Sequence, residues 1–70
     1  MARYCVNKNA QPTGEHEVHN LDIGCIFLPA PRNQQPLGDC EDCSEAITRA
    51  QEYYSIVDSC AYCTPECHTQ

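Results

Sequence analysis

Cysteine and histidine are the residue types whose spacing suggests chemistry in this 70-residue chain, which has seven of the first and three of the second. Cys40 and Cys43 form one Cys-x-x-Cys pair, and Cys60 and Cys63 form another, with sixteen residues between Cys43 and Cys60. This is the spacing of a four-cysteine zinc site, in which the two intervening residues form a turn that points both sulfurs at one ion. The pattern therefore predicts that the chain binds zinc.

The C-terminal segment offers a second ligand set. Cys63 and Cys67 are four residues apart and would share one face of a helical turn, with Cys60 and His68 nearby. A helix between the two Cys-x-x-Cys pairs would rise about 16 Å. The five or six extended residues after it would just cover that distance, at about 3.3 Å each. A site made of Cys43, Cys60, Cys63 and Cys67 is therefore an alternative, with Cys40 and His68 in reserve.

His16, His19 and Cys25 form a weaker candidate group near the N-terminus. Two residues three apart on a regular strand face opposite sides, so joint ligation by the histidines would need a turn or bulge between them. Exposed or hydrogen-bonded histidines are the plainer interpretation. We treat these three residues as reserve ligands.

Thiol redox chemistry by Cys40 and Cys43 or by Cys60 and Cys63 is a further alternative. The first pair precedes a predicted helix whose dipole would lower the pKa of its thiols. Acidic residues surround this pair and oppose such activation: Asp39, Glu41, Asp42 and Glu45. Residues 63–68 also resemble the haem-attachment motif Cys-x-x-Cys-His but are one residue too long. Since nothing specifies a nucleophile with an orienting group, we expect a protein that is not an enzyme.

The secondary-structure elements that must position these residues indicate an α+β fold in a single domain that spans residues 1–70. Residues 3–7 and 15–20 are β-prone and flank a turn-rich stretch, which indicates a hairpin. Residues 21–28 are apolar and predict a third strand or a buried loop, and residues 33–38 predict a connector.

One main helix is predicted at about 43–54, followed by a Cys-rich C-terminal segment. Asp42 or Ser44 can cap the helix. Apolar residues recur at intervals of three and four and define one face: Ala46, Ile47, Ala50, Tyr53, Tyr54 and Val57. Thr64 and Pro65 favour one further helical turn.

Composition restricts the class of protein. Ten acidic residues against four basic ones give a net charge of −6, which disfavours nucleic acid and leaves a protein partner at the acidic surface as an expectation. The chain shows neither the apolar stretch of a signal peptide nor a membrane span, so we expect a cytoplasmic protein. An odd number of cysteines excludes a fully disulfide-paired monomer, but a disulfide-stapled protein with one free or intermolecular thiol remains an alternative.

Three blocks of the sequence carry a resemblance: residues 4–11 (YCVNKNAQ), residues 16–19 (HEVH) with Cys25 and the Leu28–Pro29 pair, and residues 60–69 (CxxCxxxCHT). In combination they resemble a group of small Cys- and His-rich bacterial proteins to which no activity is attached. In that group the position of Cys43 is a cysteine, whereas that of Cys40 usually is not. The resemblance therefore favours Cys43, Cys60, Cys63 and Cys67 as the zinc ligands.

Overall fold

The fold is built on a four-stranded mixed sheet. A computed structural model describes residues 1–68 of the chain, so Thr69 of the C-terminal block lies outside the described residues. The strands are β1 (Ala2–Asn7), β2 (His16–Asn20), β3 (Gln34–Cys40) and β4 (Val57–Ser59), in the spatial order β3-β1-β2-β4. β1 pairs with β2 and β3 antiparallel, whereas β4 lies parallel to β2. The predicted α+β class and the N-terminal hairpin are confirmed, and the sheet has one strand more than the largest predicted one.

One α-helix, α1 (Cys43–Ala50), crosses between β3 and β4. Asp42 caps its start, since the Asp42 side chain accepts a hydrogen bond from the Glu45 amide at 3.0 Å. The helix is four residues shorter than predicted. The chain turns more tightly after the helix, because the Tyr53 amide donates a hydrogen bond to the Ala50 carbonyl. The ring of Tyr54 then stacks on that of His16 in β2, with ring centroids 3.8 Å apart. The chain must turn here to bring β4 beside β2.

The predicted connector at residues 33–38 is wrong, because most of it belongs to β3. Pro36 lacks an amide hydrogen and is tolerated because β3 lies at an edge of the sheet. Gly38 has a φ of +79°, beside a shift in the β1–β3 register. Proline and glycine therefore mark an irregular edge strand here and not a loop.

The segment predicted as a third strand or buried loop, residues 21–28, forms turns. Only Cys25 in it is buried, while Leu28 is partly buried. The large apolar side chains of Ile23, Ile26 and Phe27 are exposed. The strand interpretation is therefore wrong, and the segment is a loop that turns one cysteine inward.

The two faces of the sheet are covered differently. Val6 and Val18 oppose each other across β1 and β2 and pack with α1 in the main apolar core. Cys5 and His19 form the next opposed pair, so they point to the other face. A second, smaller cluster contains Cys25, Cys60 and Cys63. A short 3-10 helix, Pro65–Cys67, follows β4 and fulfils the predicted C-terminal turn.

Within residues 1–68, no helix has the length and apolar character needed to span a membrane.

Candidate metal centre

Four buried side chains converge beside the sheet and form what we call the His–Cys cluster: His19, Cys25, Cys60 and Cys63. His19 projects from β2, and Cys25 comes from the loop that follows it. Cys60 and Cys63 stand at the two ends of a turn directly after β4. One ligand atom from each residue lies within 4.8 Å of the others, so the cluster has the donor atoms and the closeness to bind a metal ion.

Two of the separations between donor atoms in the cluster match those of tetrahedral coordination. Ideal tetrahedral angles and metal–ligand distances of about 2.3 Å for sulfur and 2.0–2.1 Å for nitrogen place two sulfurs about 3.8 Å apart. The same geometry places a sulfur and a nitrogen about 3.6 Å apart. The Sγ atoms of Cys25 and Cys60 are 3.7 Å apart, and Sγ of Cys63 is 3.6 Å from Nδ1 of His19. These two pairs therefore have the spacing of ligands on one tetrahedral ion, and all four donors lie within 4.8 Å of one another.

Backbone amides point at all three sulfurs. The amide of Phe27 donates to Sγ of Cys25, and that of Tyr62 donates to Sγ of Cys60, each at 3.4 Å. The third donor, also at 3.4 Å, is the amide of Asn20, which lies next to His19 and bonds to Cys63. Amide donors stabilise the negative charge of a thiolate, the form in which cysteine binds metal.

The turn that carries Cys60 and Cys63 is fixed to the sheet. The amide of Cys60 donates to the Val18 carbonyl at 3.0 Å and so continues the β2–β4 pairing. The Thr64 hydroxyl, which is buried, donates to the Cys60 carbonyl at 2.8 Å. This strand extension explains why residues far apart in sequence reach the same point as His19.

Burial sets the protonation states of the ligands before any ion binds. Desolvation raises the pKa of Cys63 to about 12 and also raises that of Cys25, although the Phe27 amide opposes the latter shift. Desolvation lowers the pKa of His19, which keeps the imidazole neutral near neutral pH. Neutral thiols and a neutral ring fit an apolar site, and a divalent cation would supply the charge that favours thiolates there.

His19 also has a carboxylate on its outer side. Its Nε2 is buried and makes no hydrogen bond to the described residues, while Oε1 of Glu17 lies 3.8 Å away. Histidines that ligate metal through one ring nitrogen commonly have a carboxylate or carbonyl near the other. Desolvation, followed by the charge of Glu15, raises the pKa of Glu17.

The ligand set favoured by the resemblance is divided between two places. Cys60 and Cys63 lie in the His–Cys cluster, whereas Cys43 and Cys67 form a disulfide with each other, with Cα atoms 6.2 Å apart. This bond ties the first residue of α1 to the last residue of the short 3-10 helix. It lies on the helix side of the sheet, where Cys43 belongs to the main core.

The reserve ligands are divided as well, since His19 and Cys25 join the cluster and the other three lie elsewhere. Cys40 is a buried thiol in the main core. Nδ1 of His16 is 2.9 Å from the Asn7 carbonyl oxygen. His68 Nδ1 is 2.7 Å from the Ser59 carbonyl oxygen. The two Cys-x-x-Cys pairs do not meet at one point.

Cys5 is a neighbour of the cluster that the sequence did not single out. It is fully buried and opposes His19 across β1 and β2. Desolvation, with a smaller contribution from Cys25, raises the pKa of its thiol to about 11. The signal that could have placed it is register, because pairing Val6 with Val18 brings Cys5 opposite His19.

Comparison of the chain with protein-family models, curated proteins and solved structures finds no match.

Proposed function

We propose that this chain is a small zinc-binding protein in which His19, Cys25, Cys60 and Cys63 hold one zinc ion as a structural staple. The observation that carries the proposal is the closeness of the four donors, of which two pairs have the sulfur–sulfur and sulfur–nitrogen separations of ligands on a tetrahedral zinc ion. Three cysteines and one histidine are a common ligand set of structural zinc sites. Thiolate and imidazole donors favour zinc over the hard cations magnesium and calcium.

The staple has a physical purpose in so short a chain. The main core is small and includes two alanines, Ala46 and Ala50, as the buried face of the helix. On the opposite face of the sheet, the ion would join β2 to the loop of Cys25 and to the turn after β4. Metal-binding energy in such a site is folding energy, because the ligands are brought together only in the folded chain.

The donor set also supports a role without catalysis. A catalytic zinc keeps one coordination position for water or substrate, whereas four protein ligands fill a tetrahedral shell. The raised pKa of Cys63 likewise disfavours the thiol redox carrier, since a reactive thiol needs a lowered pKa. Glu17, beside Nε2 of His19, would orient the ring so that Nδ1 faces the ion.

A disulfide-stapled protein is the second candidate, and the Cys43–Cys67 bond is the observation that favours it. The two candidates are compatible in space, because the disulfide uses none of the four cluster residues. They differ in whether a zinc ion or a disulfide holds together the face of the sheet opposite α1.

Native mass spectrometry of protein purified without added metal tests the proposal. We expect one zinc ion per chain, lost from the Cys60→Ser and Cys63→Ser variants. Cys40→Ser is the matched control, because Cys40 is also a buried thiol but lies in the main core. A metal-free wild-type protein that is lighter than the fully reduced chain by four hydrogens, two for the Cys43–Cys67 bond and two for a bridge within the cluster, would contradict the proposal and favour the disulfide candidate.

A further inference from the structure

A cleft of about 350 Å³ opens beside the His–Cys cluster. Its lining residues come from four separate segments: Gln11, Glu17, Phe27, Cys60, Ala61 and Tyr62. The volume lies within the range of small-ligand sites. Since Cys60 forms part of the wall, the cleft lies directly against the proposed zinc site.

Two aromatic rings form one corner of the cleft. The rings of Phe27 and Tyr62 have centroids 5.9 Å apart and planes 79° apart. Both side chains are more than half exposed, at 62% and 54%. The rings meet at nearly a right angle and both are exposed at the cleft, and the negative face of an aromatic ring attracts a cation.

The two segments that carry Cys25 and Cys60, which we call the ligand loops, hold both rings in the same way. Each aromatic residue stands two positions after a cluster cysteine, and its own amide donates to that sulfur: Phe27 to Cys25 and Tyr62 to Cys60. An ion that fixes these two sulfurs would therefore also fix the backbone of Phe27 and Tyr62. A corner held in this way needs little ordering when a ligand arrives.

The charge around the cleft is negative. Glu17 lines it, and Asp58 is the register partner of Glu17 on β4, so both carboxylates lie on one face of the sheet. Glu15, which precedes β2, and Asp58 are both buried, and Glu17 is the carboxylate that lines the cleft; the whole chain has a net charge of −6. This surface repels phosphate groups and attracts basic polypeptide.

We propose that this cleft binds the side chain of a lysine in a basic segment of a partner protein, with the ammonium group against the exposed rings of Phe27 and Tyr62 and beside Glu17. The lysine stem would lie along the apolar walls, as long charged side chains do when their head group is held elsewhere. The proposal rests on the proposed zinc site, because the ligand loops carry both rings. It gives the chain a binding role in addition to its staple.

The test uses zinc-loaded protein and three pentapeptides of the form Gly-Gly-X-Gly-Gly, in which X is lysine, trimethyl-lysine or the neutral norleucine. Amide chemical shifts followed by NMR should move at the lining residues with the two cationic peptides and not with norleucine. Phe27→Leu and Tyr62→Leu keep an apolar side chain but remove a ring, and each should weaken lysine binding about two- to fivefold.

Tyr53→Leu is the matched control, since Tyr53 is also 54% exposed but does not line the cleft. This variant should bind the lysine peptide as the wild type does. Equal binding of the lysine and norleucine peptides would overturn the proposal, as would equal losses in Tyr53→Leu and Tyr62→Leu.

Zinc content is measured on every sample and separates this proposal from the previous one. A wild-type protein that holds zinc but does not bind the lysine peptide overturns the lysine site alone. A wild-type protein without zinc overturns the zinc site. Retained zinc and dispersed amide spectra in the two ring variants would show that weaker binding does not come from unfolding.

Discussion

Replacing His19 by alanine is the sharpest perturbation of the His–Cys cluster, because the same strand supplies a matched control. His19 is fully buried with Nδ1 facing Cys63, whereas His16, three residues earlier, stacks on Tyr54. Structural zinc binding provides about 10–16 kcal/mol. Shared evenly among four ligands, this is about 2.5–4 kcal/mol for His19, or two to three orders of magnitude in Kd.

The assay is a titration of the reduced, metal-free protein with cobalt(II), whose ligand-field absorption reports tetrahedral thiolate coordination, followed by competition with zinc. His16→Ala loses a stacking contact of about 0.5–1.5 kcal/mol and a hydrogen bond of about 1 kcal/mol. Because metal binding and folding are coupled, these losses, together about 1.5–2.5 kcal/mol, would weaken its zinc Kd by at most about one to two orders of magnitude, less than the loss in His19→Ala. His19→Cys supplies a thiolate at the same place and should restore tetrahedral absorption.

Equal losses of affinity in His16→Ala and His19→Ala would refute the reasoning, because the effect would then come from the fold and not from coordination. Unchanged affinity in His19→Ala would refute it as well, since three cysteines would then suffice. A weakened His19→Ala whose affinity His19→Cys restores is the outcome that the geometry predicts.

Two further predictions concern the disulfide and pH. Replacing both Cys43 and Cys67 by serine should leave one zinc ion bound and should lower the free energy of unfolding by about 3 kcal/mol, the contribution of closing a loop of this length. Mass spectrometry measures the bound zinc, and denaturant unfolding measures the loss of stability. Loss of zinc would contradict the separation of the two staples. Zinc affinity should rise with pH, because the raised pKa values of Cys25 and Cys63 keep both thiols protonated near neutral pH, and ligation must release these protons. His19, whose pKa is lowered, has no proton to release there. The two protons of Cys25 and Cys63 alone correspond to at least about a hundredfold in Kd for each pH unit; competition titrations one pH unit apart would measure this slope, and a flat response would contradict it.

The elements with strong local signals could be predicted from the sequence. Asp42 caps the helix, and the two β-prone runs of the N-terminal hairpin pair as expected. β3 was not predicted, because Pro36 and Gly38 indicate a connector locally, whereas pairing with β1 makes this segment an edge strand. Residues near a helix end likewise follow tertiary contacts, as the stacking of Tyr54 on His16 illustrates.

The candidate site shows where spacing in the sequence stops being informative. The Cys60-x-x-Cys63 turn was recognised because its two ligands are local to each other. The expectation that His16 and His19 face opposite sides agrees with the structure, yet a single histidine from a strand is enough for the cluster. The companion of that turn is not the similar Cys40-x-x-Cys43 pair, because the pairing of β2 with β4 brings His19 and Cys25 to it instead.

The two edges of the sheet limit how another chain can approach this protein. β3 forms one edge and includes Pro36, which offers no amide hydrogen, and Gly38, where the strand departs from regular extension. β4 forms the other edge and is three residues long. Short, irregular and proline-containing edges are the means by which β proteins avoid adding strands from their neighbours and so avoid aggregation. A second polypeptide would therefore be recognised by side chains, and not by extension of the hydrogen-bonded ladder.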